Sequence, residues 1–344
     1  MELLAELGIF AAKVLLIVIA VVAIIGAIAR AARRGAPGPD ERRGDLKLRK
    51  LNDRWKQLGS RMQRVLLPPK ELKARQRAEK AEKAAQAKVK ISERPRVYVL
   101  DFDGNVRASQ VASLREEITA VLEVARPHDE VVVRLKSPGG LVYAYGLAAS
   151  QLQRLRDRGL KLTIAVDQIA ASGGYMMATV GTQIVAAPFA IIGSIGVVAG
   201  FPNFNRLLKK HDIDFELHTA GKYKRTLTML GENTDEGRQK FQHELEETQV
   251  LFKQHIARTR PSLDVDKVAT GEHWYGSQAL ELGLVDRVTT SDDYLAEQKA
   301  RADIWQVQFV PRRTVFDRLG TALQLSFERG AERLWEKSEE QRFF

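Results

Sequence analysis

From Arg96 onward, runs of apolar residues alternate with amphipathic helical patterns, and this alternation limits the possible folds more than any other feature of the sequence. Three runs are predicted strands: VYVLDF (Val97 to Phe102), VVVRL (Val131 to Leu135) and LTIAV (Leu162 to Val166). Helical patterns follow the first two strands, SLREEITAVLEVA and residues 148–158. Continuous apolar strands connected by helices predict an α/β fold with a largely parallel sheet covered on both faces.

The second half of this region predicts a long charged helix from about Thr234 to Arg258, then a short helix and strand within TGEHWYGSQALELGLVDRV. Another apolar run, Ala186 to Phe201, contains Pro188 and three glycines. It is too short and too broken to cross a bilayer, so we interpret it as a strand of the core.

The N-terminus carries a predicted membrane anchor over residues 1–30. Gly8 to Ala29 is an apolar stretch of the length that a helix needs to cross a bilayer. A cleaved signal peptide is the alternative, but such peptides carry positive charge before the apolar segment, whereas here Glu2 and Glu6 precede it and arginines follow it. By the positive-inside rule, the same charges place the rest of the chain in the cytoplasm.

The net charge of +11 is concentrated in one segment. Between Arg30 and Pro95 lie 21 of the 54 Lys and Arg residues but only 8 of the 43 Asp and Glu residues, so the rest of the chain is about neutral. Residues 31–95 predict a partly helical or disordered stalk that lies against anionic lipid head groups. Trp55 is its only aromatic residue, which argues against stacking on RNA bases, and we expect no nucleic-acid partner.

Four glycine-containing segments stand near the ends of the predicted strands, where an α/β sheet exposes its active edge. They are SPGG (137–140), ASGG (171–174), GSIG (193–196) and AGKYK (220–224). Each one alone is typical of a turn. The chain contains no cysteine, which excludes disulfides, cysteine nucleophiles and thiolate metal sites. We expect neither a cofactor nor a metal ion.

Ser172 lies where the strand LTIAV gives way to a helix of small residues. A serine at a helix start most often caps it, and this is the alternative to a catalytic role. The glycines that follow favour catalysis, because they let a substrate carbonyl approach the backbone, where the Gly173 N–H would be one oxyanion donor. The second donor would be the N–H of Gly139 or Gly140. This combination predicts acyl transfer with Ser172 as the nucleophile.

The nucleophile needs a general base, and none of the six histidines closely follows the serine segment. A Ser/His/Asp triad stays open, because its members need not be neighbours in sequence. A lysine is the alternative, since it accepts the serine proton when burial or nearby cations favour its neutral form. Lys224 has Lys222 and Arg225 beside it. Both lysines are candidates.

The segments SPGG, ASGGYMMA, GSIGV and AGxYK, in this order and spacing, resemble the S49 peptidases, the family of signal peptide peptidase A. The likeness covers nearly the whole chain and includes LREEITAVL and TGEHWYG. It implies a ClpP/crotonase-type fold, a spiral of ββα units, preceded by one N-terminal transmembrane helix. After the anchor and the stalk, it implies a peptidase domain over residues 96–290 and a C-terminal tail over residues 291–344.

The resemblance also implies roles for five residues. Ser172 aligns with the family nucleophile and Lys224 with the family lysine, the general base, while Ser194 falls where a hydroxyl hydrogen-bonds that lysine. Gly140 and Gly173 fall where backbone N–H groups bind the oxyanion. The implied activity is that of a serine endopeptidase, acting through an acyl-enzyme on peptides or on membrane-associated, signal-peptide-like polypeptides.

The expected partners are peptide or protein substrates, membrane lipid and further copies of the chain. The resemblance implies a single-pass protein of the bacterial inner membrane that forms a homo-oligomeric ring or dome, in which the lysine can come from a neighbouring subunit. Family precedent places the catalytic domain in the periplasm, opposite to the charge rule. Two other functions stay open: an acyl-CoA hydratase or isomerase, which generally uses paired carboxylates, and an inactive membrane scaffold.

Overall fold

The computed structural model describes residues 44–88 and 94–311, and one compact unit spans Leu46–Val310. In these two ranges no helix combines the length and the apolar composition that crossing a bilayer requires. The predicted anchor, Gly8 to Ala29, lies outside the described residues.

The described chain begins with one strand and two helices and then alternates strands with helices. The strands are β1 (Gly44–Lys50), β2 (Arg96–Asp103), β3 (Glu130–Lys136), β4 (Lys161–Val166), β5 (Ile169–Ala171), β6 (Gln183–Ala186), β7 (Ile191–Gly193), β8 (His273–Tyr275), β9 (Arg287–Val288) and β10 (Asp303–Pro311). The helices are α1 (Leu51–Leu66), α2 (Pro69–Lys88), α3 (Val111–Val124), α4 (Val142–Asp157), α5 (Gly173–Ala178), α6 (Asn205–Lys210), α7 (Asp235–Thr259), α8 (Val265–Val268), α9 (Gly276–Glu281) and α10 (Ser291–Gln298).

The strands form two sheets. The larger has the order β1-β10-β2-β3-β4-β6-β9, and every pair from β10 to β9 is parallel. In the smaller sheet, β7 lies between β5, its parallel partner, and β8, its antiparallel partner. The predicted α/β fold with a largely parallel sheet is confirmed.

The larger sheet is buried on both faces because its central strands are apolar at almost every position. On β2, Tyr98, Leu100 and Phe102 belong to one core cluster, which also contains residues of α3, α4 and α5. Val97 and Val99 belong to a second cluster with the first residue of α1 and with α10. Successive side chains of a strand point to opposite faces, so a continuous apolar run supplies both cores.

The predicted helices and strands are largely confirmed. The long helix α7 begins where expected, with the Thr234 hydroxyl accepting a hydrogen bond from the Gly237 N–H as its N-cap. The apolar run Ala186 to Phe201 contributes only the last residue of β6 and the short strand β7. Pro188 and the glycines of this run break the regular backbone, which explains why it is not one strand.

Two strands of the larger sheet lie outside the predicted peptidase domain of residues 96–290. These are β1, within the predicted stalk, and β10, within the predicted tail. Strand β10 pairs with β2 from Asp303 opposite Arg96 to Gln306 opposite Val99, so it covers the strand that would otherwise form the sheet edge. The compact unit therefore extends beyond residues 96–290 at both ends, whereas the domain division itself stays a prediction.

Candidate active site

Ser172 occupies a strained turn between β5 and α5. Its φ is 51° and its ψ is −119°, and it is one of four non-glycine residues with positive φ in the described part of the chain. The backbone is held in this conformation, because the Ser172 N–H donates to the Gly193 carbonyl at 2.8 Å and the Met176 N–H donates to the Ser172 carbonyl at 2.9 Å. Strain of this kind persists only where the surroundings enforce it, and it is commonest at functional sites.

The hydroxyl of Ser172 does not cap α5. No side-chain hydrogen bond is made at this N-cap, and the side chain is half-buried. Both polar backbone atoms are used, so within residues 44–88 and 94–311 the Oγ atom is the only polar group of Ser172 without a hydrogen-bond partner. The capping alternative is therefore contradicted by the structure. A strained serine with a free hydroxyl, between a strand and a helix, fits the role that the sequence predicts for Ser172.

The SPGG segment packs directly against Ser172. A Cβ atom built on Gly139 would lie 2.8 Å from the Ser172 Cβ and 2.8 Å from the Gly173 nitrogen, so the two turns touch only because this residue is glycine. The contact is reinforced by backbone hydrogen bonds, since the Ala171 N–H donates to the Ser137 carbonyl at 3.0 Å. The structure thus joins two segments that are separated by more than thirty positions in the sequence.

The backbone N–H groups around Ser172 differ in their use. That of Gly139 donates to the Ser137 hydroxyl at 3.1 Å. Within the described ranges, those of Gly140 and Gly173 have no acceptor. Of the two glycines that the sequence left open in SPGG, Gly140 therefore has the available donor. Two free N–H groups beside a serine hydroxyl provide the arrangement that stabilises an oxyanion during acyl transfer.

Ser194 stands beside Ser172 at the ends of two paired strands. In the parallel pair β5 and β7, Ala171 is opposite Gly193, so each serine is the next residue along its strand. Ser194 also has positive φ, 50°, and its N–H donates to the Glu272 carbonyl at 2.7 Å. The structure therefore places the two predicted serines at neighbouring positions at the ends of paired strands.

Lys224 lies in an exposed, irregular segment between α6 and α7, and its N–H donates to the Gly221 carbonyl at 3.1 Å. Among the described residues, no hydrogen bond or ion pair joins Lys224 to Ser172. Lys222 is engaged instead, because its Nζ is 2.6 Å from Glu236 at the start of α7. The hydrogen bond that Lys222 donates to Glu236 is the largest of the influences that raise the pKa of Lys222, and this disfavours the neutral form that a general base needs.

Tyr145, which contacts both turns, is a site residue that sequence reasoning missed. Its side chain is fully buried, its hydroxyl is 2.5 Å from the Ser137 hydroxyl, and burial raises its pKa. A Cβ atom built on Gly173 would lie 2.5 Å from the Tyr145 ring. A tyrosine on the buried face of a helix normally indicates core packing, and only its position five residues after SPGG could have signalled more.

Comparison with known proteins identifies the family. The model of the peptidase family S49 N-terminal region matches residues 2–152, and the model of peptidase family S49 matches residues 154–305. The chain belongs to peptidase family S49. As a member of the S49 family it is a protease, and the resemblance inferred from the glycine-containing segments is confirmed.

Relatives within the S49 family match over much or nearly all of their length. The chain is 47% identical over 330 residues to a protein described as probable protease SohB from Haemophilus influenzae, covering 93% of this chain and 92% of that protein. It is 57% identical over 223 residues to the probable protease SohB of Buchnera aphidicola subsp. Acyrthosiphon pisum, covering 65% of this chain and 66% of that protein.

A solved structure is also similar, that of a mutant 1510-N membrane-bound stomatin-specific protease in complex with a substrate peptide. The similarity covers 67% of this chain and 98% of that one, with 13% sequence identity and a TM-score of 0.43.

Proposed function

We propose that this S49 protease is a membrane-anchored serine endopeptidase in which Ser172 is the nucleophile and Lys224 the general base. The observation that carries the proposal is the state of Ser172: its backbone is strained and fully hydrogen-bonded, while its hydroxyl is free. A serine kept only for its shape or for capping a helix would not need this combination.

The proposed reaction is acyl transfer through a covalent intermediate. The Ser172 Oγ attacks the scissile carbonyl carbon while a neutral lysine takes its proton, and the carbonyl oxygen gains negative charge between the N–H groups of Gly140 and Gly173. The tetrahedral intermediate collapses with loss of the amine, which takes the proton from the lysine. Water then attacks the acyl-enzyme while the lysine takes a proton from it. The acid is released as the lysine returns that proton to the Ser172 Oγ.

Lys224 is exposed in a single chain, whereas burial is what favours the uncharged form that a lysine base needs. We therefore propose that Lys224 becomes buried only when the segment around it is covered, and that the cover is a second copy of the chain. Ser194, next to Ser172, is proposed to hold the lysine by a hydrogen bond once it arrives.

We further propose the ClpP/crotonase-type arrangement for the fold, with residues 1–30 as the inner-membrane anchor and membrane-associated or signal-peptide-like polypeptides as substrates. The parallel strand order and the small second sheet support the proposed fold. The apolar stretch Gly8 to Ala29 supports the proposed anchor. Membership of a protease family, together with the free serine, disfavours the hydratase and the inactive scaffold.

The test is Ser172→Ala in the full-length protein, with cleavage of a fluorogenic peptide and labelling by a fluorophosphonate as the two measurements. We expect the wild-type protein to be labelled on Ser172, and the variant to lose both labelling and turnover while its thermal unfolding midpoint is maintained, because the hydroxyl that is removed makes no hydrogen bond in the described residues. Turnover by a folded Ser172→Ala protein would refute the proposal.

A further inference from the structure

We infer that Tyr145 is a positioning residue that holds the Gly140 N–H and the Gly173 N–H at the separation that an oxyanion requires. The inference rests on the proposed function of these two groups. It adds a residue on α4 that makes no contact with the nucleophile hydroxyl and acts through the two glycine turns.

A directed chain of hydrogen bonds connects the SPGG turn to Tyr145. The Tyr145 hydroxyl donates to the Asn105 carbonyl at 2.8 Å, and because it has one hydrogen it must accept at its other contact. The Ser137 hydroxyl, 2.5 Å away, is therefore the donor in that contact. The same Ser137 oxygen accepts from the Gly139 N–H at 3.1 Å. The order is thus Gly139 to Ser137 to Tyr145 to Asn105, and every hydrogen is assigned.

This chain determines which N–H of the turn is available. Because the Gly139 N–H is drawn inward to Ser137, the following peptide presents the Gly140 N–H without an acceptor in the described residues. Ser137 and Tyr145 are both fully buried, so water does not replace either of them. Loss of the Tyr145 hydroxyl would leave the Ser137 hydrogen without its acceptor, and a buried unsatisfied group is relieved by movement of the turn.

The ring of Tyr145 fixes the other donor. Gly173 lies so close to the ring that a Cβ atom there would be 2.5 Å from it. Gly104 lies just as close to the other end of the side chain, since its Cβ atom would be 2.5 Å from the Tyr145 hydroxyl and 2.6 Å from that of Ser137. One rigid side chain therefore spans the distance between the turn with the first donor and the residue with the second.

The decisive variant is Tyr145→Phe in the full-length protein, which keeps the ring against Gly173 and removes only the hydroxyl. Loss of one oxyanion donor typically lowers kcat by 100- to 1,000-fold, so for a displaced donor we expect kcat to fall about 10- to 100-fold. KM for a fluorogenic peptide should stay within about twofold, because the donor acts in the transition state. The inhibition constant of a peptide boronate, which mimics the tetrahedral state, should rise by the factor by which kcat/KM falls.

The matched control is Tyr175→Phe on α5. Tyr175 is also fully buried and its hydroxyl donates to the Leu284 carbonyl at 2.8 Å, so this change removes a comparable hydrogen bond outside the chain that leads to Gly139. We expect both variants to lower the thermal unfolding midpoint, and only Tyr145→Phe to lower kcat. An equal loss of kcat in both would overturn the inference, since it would reflect general stability.

Ser137→Ala is a second variant that interrupts the same chain of hydrogen bonds. It tests the inference even if Tyr145→Phe does not fold. It removes the acceptor of the Gly139 N–H, and the same selective fall in kcat is expected. The double variant should be no worse than either single one, because both interrupt one chain. If Ser172→Ala loses fluorophosphonate labelling while Ser137→Ala and Tyr145→Phe keep the kcat of the wild-type protein, the proposed function stands and the role of Tyr145 is refuted.

Discussion

At the scale of residues, the candidate site has strained backbone at two neighbouring serines. Ser172 and Ser194 both have positive φ near 50° and directly follow the paired residues Ala171 and Gly193. Each such conformation costs about 1–3 kcal/mol and persists only where neighbours enforce it. The β5–β7 pairing supplies that enforcement, since it fixes the residue before each serine. The presence of two serines with strained backbones at the ends of neighbouring strands is therefore a consequence of the pairing.

The choice between the two lysines is testable with paired substitutions. Lys224→Met should abolish turnover, because it removes the proposed base, whereas Lys222→Met should retain most of it, because the amine of Lys222 is engaged by Glu236. Lys224→Arg should be as inactive as Lys224→Met, since an arginine does not deprotonate in the working pH range. Steady-state turnover of a fluorogenic peptide distinguishes them. An inactive Lys222→Met with an active Lys224→Met would exchange the two assignments.

The site was only partly predictable from residues. The four glycine-containing segments could be recognised because each depends on neighbouring positions, and Ser172 stood out because two glycines follow it. The use of each N–H could not be predicted, since the acceptor of Gly139 is a side chain fixed by Tyr145 and Asn105 from other elements. The exposure of Lys224 could not be predicted from the sequence either, because it depends on which other residues pack against its segment.

At the scale of elements, the central strands were predictable and the outer ones were not. Strands β2, β3 and β4 are continuous apolar runs buried on both faces, which is a strong local signal. Strand β10 has a mixed pattern, DIWQVQFVP, because one of its neighbours is a peripheral strand. Strand β1, GDLKLRK, is mostly exposed and highly charged, so its sequence resembles the stalk. Strands β1 and β10 pair with each other across about 250 positions of sequence, and this distant pairing, rather than a local pattern, makes each of them a strand.

The attachment of β10 includes a buried carboxyl that makes stability depend on pH. Glu117 on α3 is 4% exposed and accepts a hydrogen bond from the Phe309 N–H of β10 at 2.8 Å, while its second oxygen has no partner in the described residues. Burial, opposed by that hydrogen bond, raises the pKa of Glu117 from 4.5 to about 7. The folded state favours the neutral carboxyl of Glu117. Ionisation of this group therefore lowers the free energy of unfolding as pH rises.

We therefore expect Glu117→Gln to change the pH profile of stability. The penalty is absent well below pH 4.5, grows through the interval up to about pH 7 and is complete above it. Between pH 5 and pH 8 the free energy of unfolding of the wild-type protein should fall by about 1–3 kcal/mol relative to Glu117→Gln. Urea unfolding at the two pH values measures this difference. Glu123→Gln, an exposed position of the same helix, is the control, and parallel profiles for Glu117→Gln and the wild-type protein would contradict the expectation.

At the scale of the whole molecule, apolar surface is concentrated where the proposed base lies. The segment between β7 and α7 exposes many large apolar side chains, and Val198 is 93% exposed. These exposed residues are Val198, Phe201, Phe204, Leu207, Ile213, Phe215, Leu217, Tyr223, Met229 and Leu230. On helix α7, Phe252 and Ile256 are buried in the core, whereas Leu251 is 65% exposed. A segment that exposes this many large apolar side chains is typical of a protein interface.

A site shared between copies of the chain would be revealed by mixing two inactive variants. If a second copy covers the segment with Lys224, a Ser172→Ala chain still carries the lysine and a Lys224→Met chain still carries the serine. Each variant alone should be inactive, and mixed subunits should recover part of the wild-type activity, because some sites then combine the intact serine of one chain with the intact lysine of another.

Co-expression of the two full-length variants with different tags, followed by tandem purification in mild detergent, provides the mixed oligomer, and turnover of a fluorogenic peptide is the measurement. Co-expression of Ser172→Ala with Ser172→Ala of the other tag is the control and should stay inactive, since no nucleophile is present. For random mixing in equal amounts, about one quarter of the sites would be intact. Activity of a wild-type monomer isolated by size exclusion would contradict oligomerisation altogether, whereas an oligomer without recovered activity would place Lys224 and Ser172 in the same chain and require the exposed segment to fold back over its own serine.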